Sequence, residues 1–401
     1  MNNCHEIEQC IACGSTSLIP VLNLNNQPLA NSYKEKKDQE EEFFPLGINR
    51  CSDCSHVQLT HKVSPDLLFK NYLYVSGTTK TQLDYFEWFC NYVLENSRSH
   101  KTILDIGCND GSQLNCFKNA GLSTYGIDPA INLYNLSSKN HKVICDYFVA
   151  DSFDQKFDII VCQNAFPHNY NQLEFLQNCR QLMHEDTLLY IVTSQADMIT
   201  NNEFDTIYHE HLSFYTIKSM NAICERAGLN LIDVNQHPIH GKSNIFIVSG
   251  SLKRTNHIKN LIDLESNQGL HTEKTYKQYA IKCHEIVDKF KIAIDQLKKD
   301  GVTIVGYGAP AKGNTFLNFS CVDLDFIIDD NPLKQGLFTP GRSIPIVAPE
   351  ILKQFQDKKI CFVPLAWNFF EEIKTRIKLS RLSEATNFFL RYFPNVSLQQ
   401  E

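Results

Sequence analysis

The chain has 401 residues, 43% of them hydrophobic and 21% charged, with a formal net charge of −7. That length exceeds one small core, so two or three domains are expected. The acidic balance argues against a nucleic-acid partner, and no apolar run reaches the roughly 18–20 residues that cross a bilayer. Fifteen cysteines follow an N-terminus, Met-Asn-Asn-Cys-His-Glu, that lacks the basic and apolar regions of a secretory signal. A reducing, cytoplasmic compartment is expected, where thiols bind metal or pack.

Residues 1–65 read as a zinc-binding module. Cys10-Ile-Ala-Cys13 and Cys51-Ser-Asp-Cys54 can each seat two thiolates on one turn, and two such turns make a tetrahedral four-sulfur zinc site. Gly14 permits the tight knuckle. Four thiolates leave no open position for water, so the metal is expected to be structural. Cys4, His5 and His56 are lesser ligand candidates, and the neighbouring residues lack the basic and aromatic pattern of a nucleic-acid knuckle. Between the pairs, Lys34 to Glu42 mixes charges of both signs and reads as a solvated loop.

Residues 66–250 carry the signature of a doubly wound α/β domain. Tyr85, Trp88, Phe89, Tyr92 and Val93 recur at helical spacing. Before them stands Tyr72-Leu-Tyr74-Val-Ser76-Gly77, two phenols and a hydroxyl of the kind a sugar or phosphate contact uses. Strands are expected at 102–106, 123–127, 157–162 and 187–193, with a short one at Val143 and Ile144 and an antiparallel edge from 229–234 and 244–249. The first strand enters the glycine turn Asp105-Ile-Gly107-Cys-Asn109-Asp110-Gly111, and the second ends on Asp128, 23 residues after Asp105. Backbone amides at such a turn and a carboxylate on ribose hydroxyls present an adenosyl ligand. The turn lacks the dinucleotide Gly-x-Gly-x-x-Gly pattern and suits a zwitterionic amino-acid tail. The expected cofactor is therefore S-adenosylmethionine and the expected chemistry methyl transfer. Asp146 falls where such folds contact adenine, and Asn164 and His168 follow the fourth strand, at the ligand crevice. Downstream, Asp205-Thr-Ile-Tyr208-His209-Glu210-His211 offers a base, an orienting carboxylate and a phenol; its spacing is not that of a His-Glu-x-x-His metal site.

Residues 251–300 read as a helical connector, polar to 275 and then striped by Tyr279, Cys283, Ile286, Phe290, Ala293 and Leu297. Residues 301–401 start a second, Rossmann-like α/β domain: strand Val302–Gly308, a glycine turn reaching Gly313, strand Phe326–Asp329 and strand Ile360–Pro364. Gly306, Gly308 and Lys312 could cradle a diphosphate through amides and one cation.

Together these residues resemble the zinc-containing sugar C-methyltransferases that act on nucleoside-diphosphate 4-keto-6-deoxysugars. The resemblance runs through both cysteine pairs, Asn26–Asn31, Tyr72-x-Tyr74-x-Ser76, Asp105–Gly111, Asn164-Ala-Phe-Pro-His168 and Tyr208–His211. It continues through Gly306–Gly313, Ile328–Asn331, Thr339-Pro-Gly341 and Ala366-Trp-Asn368. Two departures stand out: His240-Gly-Lys242-Ser243 where the family often has His-Gly-Gly-Ser, and Gly77 where it often has serine. The resemblance implies methylation at carbon 3, beside the 4-keto group, of a dTDP- or other nucleotide sugar by a chain able to act as a monomer. It implies His211 as base or its close partner, oriented by Glu210 and Tyr208, with His168, Tyr72 or Tyr74, and Asn164 on the enolate oxygen or sugar hydroxyls. Ser76, His240 and Lys242 would lie near the acceptor. The rival readings are methylation of oxygen or nitrogen, a nicotinamide-dependent sugar oxidoreductase, and a zinc-knuckle interaction protein.

Overall fold

The computed structural model describes residues 3–69, 75–97, 101–194, 197–252, 256–381 and 386–400. The chain forms two compact units, one built from residues 1–20, 49–196 and 210–273, the other from 21–48, 197–209 and 274–401.

The first unit is organised by a seven-stranded sheet. Its strands are β1 (Thr102–Ile106), β2 (Ser123–Ile127), β3 (Lys142–Ile144), β4 (Phe157–Gln163), β5 (Met183–Thr193), β6 (Asn230–His237) and β7 (Ser243–Ser249), in the order β6-β7-β5-β4-β1-β2-β3. The five strands β1 to β5 pair in parallel, whereas β7 runs antiparallel to β5 and to β6. Side chains alternate between faces along a strand, and here both faces are buried. Leu104, Ile106, Ile160, Cys162, Leu189 and Ile191 pack into one core. Ile103, Ile159, Val161, Leu188, Tyr190 and Val192 pack into the other. Burial on both sides explains the continuous apolar runs that made these strands legible.

Helix α1 (Lys80–Asn96) buries Tyr85, Phe86, Phe89, Cys90 and Val93 on the second core, as its spacing predicts, and Thr79 caps it by accepting the Gln82 N–H. Helices α2 (Ser112–Asn119), α3 (Ile131–Ser137), α4 (Gln172–Gln181) and α5 (Ile217–Arg226) follow β1, β2, the turn after β4, and the reactive stretch respectively. Within the segment expected to be polar, α6 (Asn256–Asn267) forms a helix. Its Glu265 is buried and accepts the Ile217 and Lys218 N–H groups, at 2.7 and 3.2 Å, where α5 begins.

The second unit contains the long helix α7 (Glu273–Lys299), whose buried stripe includes the expected Tyr279, Cys283, Ile286, Phe290 and Leu297, adds Tyr276 and Val287, and has Ile294 in place of Ala293. Its six-stranded sheet comprises β8 (Thr303–Tyr307), β9 (Phe326–Ile328), β10 (Ile346–Val347), β11 (Ile360–Pro364), β12 (Asn387–Arg391) and β13 (Ser397–Gln400), in the order β10-β9-β8-β11-β12-β13. Helix α8 (Ala311–Ser320) follows β8, and α9 (Phe370–Ser380) follows β11. Only the β12–β13 pair is antiparallel. This sheet therefore repeats β7-β5-β4-β1-β2-β3 of the first unit, strand for strand. The stretch Lys34 to Glu42 is not wholly a solvated loop, because its ends are tied down. Lys34 is buried, ion-paired to Glu41 at 2.8 Å and bonded to Ser343 Oγ, while Glu41 accepts the Gly341 N–H. Among the described residues no helix is long and apolar enough to cross a membrane.

Candidate active site and metal centre

The four cysteine sulfurs, Cys10, Cys13, Cys51 and Cys54, lie within 4.8 Å of one another, with Cys10–Cys54 and Cys13–Cys51 each at 3.5 Å. A tetrahedral zinc with Zn–S bonds of about 2.3 Å needs sulfurs about 3.8 Å apart, so the cluster fits the ion. Both knuckles use one backbone plan. Cys10 O accepts the Gly14 N–H and Cys51 O the Ser55 N–H, at 2.8 and 3.0 Å. Gly14 and Ser55 are both left-handed, at φ +80° and +62°. The cluster is closed by its surroundings: Cys10, Cys51 and Cys54 belong to the first core of the sheet. From α5, Arg226 donates to the Ala12 carbonyl at 2.9 Å and Lys218 to the Asp53 carbonyl at 2.7 Å. His56 is engaged elsewhere, through Nε2 to Ser213 Oγ at 3.0 Å, and burial lowers its pKa to about 3. Cys4 and His5 pair with Val63 and Lys62 in a separate two-stranded sheet.

The glycine turn is built on main-chain conformations that side chains resist: Gly107 at φ +81°, Asn109 at +51° and Gly111 at +81°. The Gly107 N–H donates to Ile127 O at 2.8 Å, fastening the end of β1 to the end of β2. A Cβ at position 107 would stand 2.6 Å from the Ala165 Cβ, so only glycine lets the turn approach the end of β4. Asp128 pins the turn from the other side by accepting the Asn109 and Ala130 N–H groups, each at 2.9 Å. Asp105 is buried beneath them, and burial, followed by the charges of Asp128 and Asp110, pushes its carboxyl up to about 8. Asp110 serves the turn itself, accepting from Ser112 N and Oγ and from Gly77 N. The Asn109 side chain accepts the Ser76 N–H at 2.9 Å, joining the Ser76–Thr78 turn to the same place. Asp146 is exposed and accepts the Tyr147 N–H.

Beside Ala165, the residue that follows the β4 strand is Asn164, left-handed at φ +54°. Its N–H donates to Val192 O at 2.8 Å and its Oδ1 accepts the Ser194 N–H at 3.0 Å, so one residue holds the ends of β4 and β5 together. His168 follows in the short turn Phe166–His168, its ring 4.9 Å from that of His211 and 5.9 Å from that of Phe69. The Leu212 N–H donates to Pro167 O, which draws the two histidine segments together. Burial holds the His168 imidazole down at about 4, so it is neutral near pH 7. Glu210 and His211 are buried in the first unit; Tyr208 and His209 belong to the second, so the chain passes between units inside this motif. Tyr72 and Tyr74 lie outside the described residues.

Three family models match the chain in succession: "Putative zinc binding domain" over residues 10–69, "Methyltransferase domain" over 81–234 and "C-methyltransferase C-terminal domain" over 238–394. The C-methyltransferase NovU of Streptomyces niveus is 28% identical over 387 residues, which cover 92% of this chain and 91% of that protein. These matches make the chain an S-adenosylmethionine-dependent C-methyltransferase with a zinc-binding domain. A ubiquinone biosynthesis O-methyltransferase of Glaesserella parasuis is 34% identical over 106 residues, covering 23% of the C-methyltransferase and 45% of that relative. The solved magnesium protoporphyrin IX methyltransferase of Synechocystis, with bound SAM, covers 42% of the chain and 79% of its own at 11% identity and a TM-score of 0.34.

In the second unit of the C-methyltransferase, Gly308 is left-handed at φ +79°, whereas Gly306 belongs to strand β8, where a Cβ would meet Ile327 at 2.8 Å. The first unit's device recurs here. Gly308 N–H donates to Ile328 O at 2.7 Å, and Asp329 accepts the Ala309 and Asn331 N–H groups at 2.6 and 2.8 Å. Lys312 Nζ is buried, 4.8 Å from the Trp367 ring centroid. A cation missed in the sequence stands at the turn: Lys334 donates to Ala309 O at 2.8 Å, and Tyr33 Oη donates to the same carbonyl. Lys242 is half-buried; His240 sits in the turn Ile239–Gly241, its side chain outside the described set. Ser112 was also missed. Its hydroxyl occupies the place a side chain at Gly77 would take, 2.1 Å from the Cβ position.

Proposed function

We propose that this C-methyltransferase methylates carbon 3 of a nucleoside-diphosphate 4-keto-6-deoxysugar, dTDP-linked or carried on another nucleotide, in a reducing cytoplasmic compartment. The observation that carries the reading is the His168–His211 pair, rings 4.9 Å apart, beside the Asn164 end of β4 and the Gly107 turn. The four-part division into 1–65, 66–250, 251–300 and 301–401 is kept as its working organisation. Fifteen cysteines, all free thiols, support the reducing compartment.

Asp105, Gly107, Asn109, Asp110, Gly111, Asp128, Asp146 and Asn164 would hold S-adenosylmethionine, which supplies the methyl group when bound. The remaining work falls to side chains of the chain. The 4-keto group acidifies the neighbouring C–H bond. His211 takes that proton, and the electron pair it leaves behind is delocalised onto the keto oxygen as an enolate. Glu210 and Tyr208 orient His211. His168, neutral because burial lowers its pKa, donates a hydrogen bond to the developing oxyanion, assisted by Asn164 and by Tyr72 or Tyr74. Ser76, His240 and Lys242 face the sugar, while Gly306, Gly308 and Lys312 serve the nucleotide end.

Incubation with S-adenosylmethionine and a panel of nucleotide 4-keto-6-deoxysugars tests this directly. The expected product gains one methyl mass and a branched sugar carbon by NMR. Methylation on oxygen, the chemistry named for the Glaesserella relative, or on nitrogen would give the mass without the branch and overturn the reading.

A further inference from the structure

Asp205 has no part in the chemistry above, yet it is the most completely enclosed carboxylate in the reactive stretch, with 0% of its surface exposed. It sits in the tight turn Phe204–Thr206. Its Oδ2 accepts the Trp367 Nε1–H at 2.7 Å and the Tyr392 hydroxyl at 3.3 Å. The Lys312 ammonium lies over the Trp367 ring, without a hydrogen bond to the carboxylate, and its charge favours the ionised form. These three partners come from three adjacent strand ends: Lys312 from the first turn of α8 after β8, Trp367 after β11, and Tyr392 after β12. The carboxyl ends of such strands form the crevice where open α/β sheets receive ligands. In the second unit, one of the chain's own carboxylates enters that crevice.

A buried carboxylate is a poor way to add stability, because apolar groups of similar volume do as well or better. What it provides is a fixed location. The neighbouring Phe204 ring is locked among Phe316, Phe319 and Phe393, at 5.8, 5.5 and 5.7 Å, so the turn has an apolar and a polar anchor side by side. Asp205 is three residues upstream of Tyr208. At the far end, Ser213–Phe214 pairs with Val57–Gln58 in the first unit, and Ser213 Oγ bonds His56. The reactive stretch is thus a short span fastened at both ends, each within its own unit.

We propose that Asp205 is a positioning residue: its carboxylate, held by Trp367 and Tyr392, sets the point from which Tyr208 departs within the second unit. This rests on the reading of Tyr208–His211 as the reactive segment. A charge held in one place is needed, so an uncharged isostere keeps the fold while loosening the span. Misplacing a reactive group by about 1 Å can cost on the order of 100-fold in rate.

The test compares wild type with Asp205→Asn, using the full-length, zinc-loaded protein. The readouts are S-adenosylmethionine affinity by calorimetry, kcat and KM on the 4-keto sugar, and hydrogen exchange of the peptides spanning 204–212. Expected are unchanged cofactor affinity, a kcat loss approaching 100-fold that exceeds any change in KM, and faster exchange confined to 204–212. Wild-type kcat with wild-type exchange would overturn the proposal. So would faster exchange throughout the second unit with kcat restored once corrected for folded fraction. Should Asp205→Asn not fold, Trp367→Phe removes the shortest hydrogen bond and leaves the carboxylate; it should show the same confined exchange. Absence of wild-type turnover on any 4-keto sugar counts against the proposed function alone, since local exchange still decides the Asp205 anchor.

Discussion

Two glycines near the cofactor turn answer to different pressures. Gly107 is required by both a left-handed backbone and the Ala165 methyl 2.6 Å away, whereas Gly77 has ordinary dihedrals and is required only by the Ser112 hydroxyl and the Asp110 carboxylate. The difference makes Gly77 reversible. Gly77→Ser should weaken S-adenosylmethionine binding in calorimetry, and adding Ser112→Ala should restore part of it, since the Asp110 carboxylate remains; full affinity in the single variant would contradict the contact. Asp105 gives a pH signature. Its folded pKa of about 8 lies above the ordinary 3.8, so the folded chain holds that proton more tightly than the unfolded chain. The resulting stability is fully present below about pH 4 and is lost as pH rises through about 8. Asp105→Asn should therefore gain stability relative to wild type in urea titrations from pH 6 to pH 9. Binding a cofactor of net positive charge favours the ionised carboxyl. Calorimetry at pH 7 in buffers of different ionisation enthalpy should accordingly show proton release in wild type and none in Asp105→Asn. The importance of Asp205 was illegible in the sequence, because its partners Lys312, Trp367 and Tyr392 lie more than a hundred positions away.

Among the elements, those buried on both faces were read most accurately: β1 and β2 occupy their expected spans, and the Tyr85–Val93 spacing fell within α1. Three misreadings share a cause. Strand β5 begins at Met183, ahead of its expected start, because exposed His184, Glu185 and Asp186 mask an irregularity in the pairing with β4. Helix α6 was masked by exposed Leu264 and buried Glu265, which invert the usual polarity. Lys34 looked solvated because its neutralising partner Glu41 is seven residues away. Glu265 matters as a carboxylate at a helix N-terminus. Glu265→Gln should cost roughly 1 kcal/mol in urea unfolding; no change would remove it from the capping of α5. The knuckles make a sharper prediction. Elemental analysis should find zinc in the wild-type protein and lose it in Cys51→Ser, with a lowered Tm, since breaking a four-thiolate site removes folding energy. A Cys51→Ser protein that retains its zinc would contradict the ligand set.

At the scale of the whole molecule, the sequence suggested two α/β units without showing that they are alike. The likeness lies in strand order and in backbone amides: Gly107 with Asp128, and Gly308 with Asp329, each pair a left-handed turn fastened to an acid at the end of the next strand. Main-chain hydrogen bonds leave little imprint on side-chain identity, so Thr-Ile-Leu-Asp-Ile and Thr-Ile-Val-Gly-Tyr can occupy equivalent strands. The two units differ in what fills the crevice. The first gathers His168 and His211 near Asn164, while the second encloses Asp205. The proposed function places proton transfer in the first unit. Deuterium exchange at carbon 3 of the 4-keto sugar, followed by NMR in D2O, measures that step separately from methyl transfer. Exchange is expected with the wild-type protein and none with His211→Asn; undiminished exchange in His211→Asn would contradict the assignment of His211 as the base.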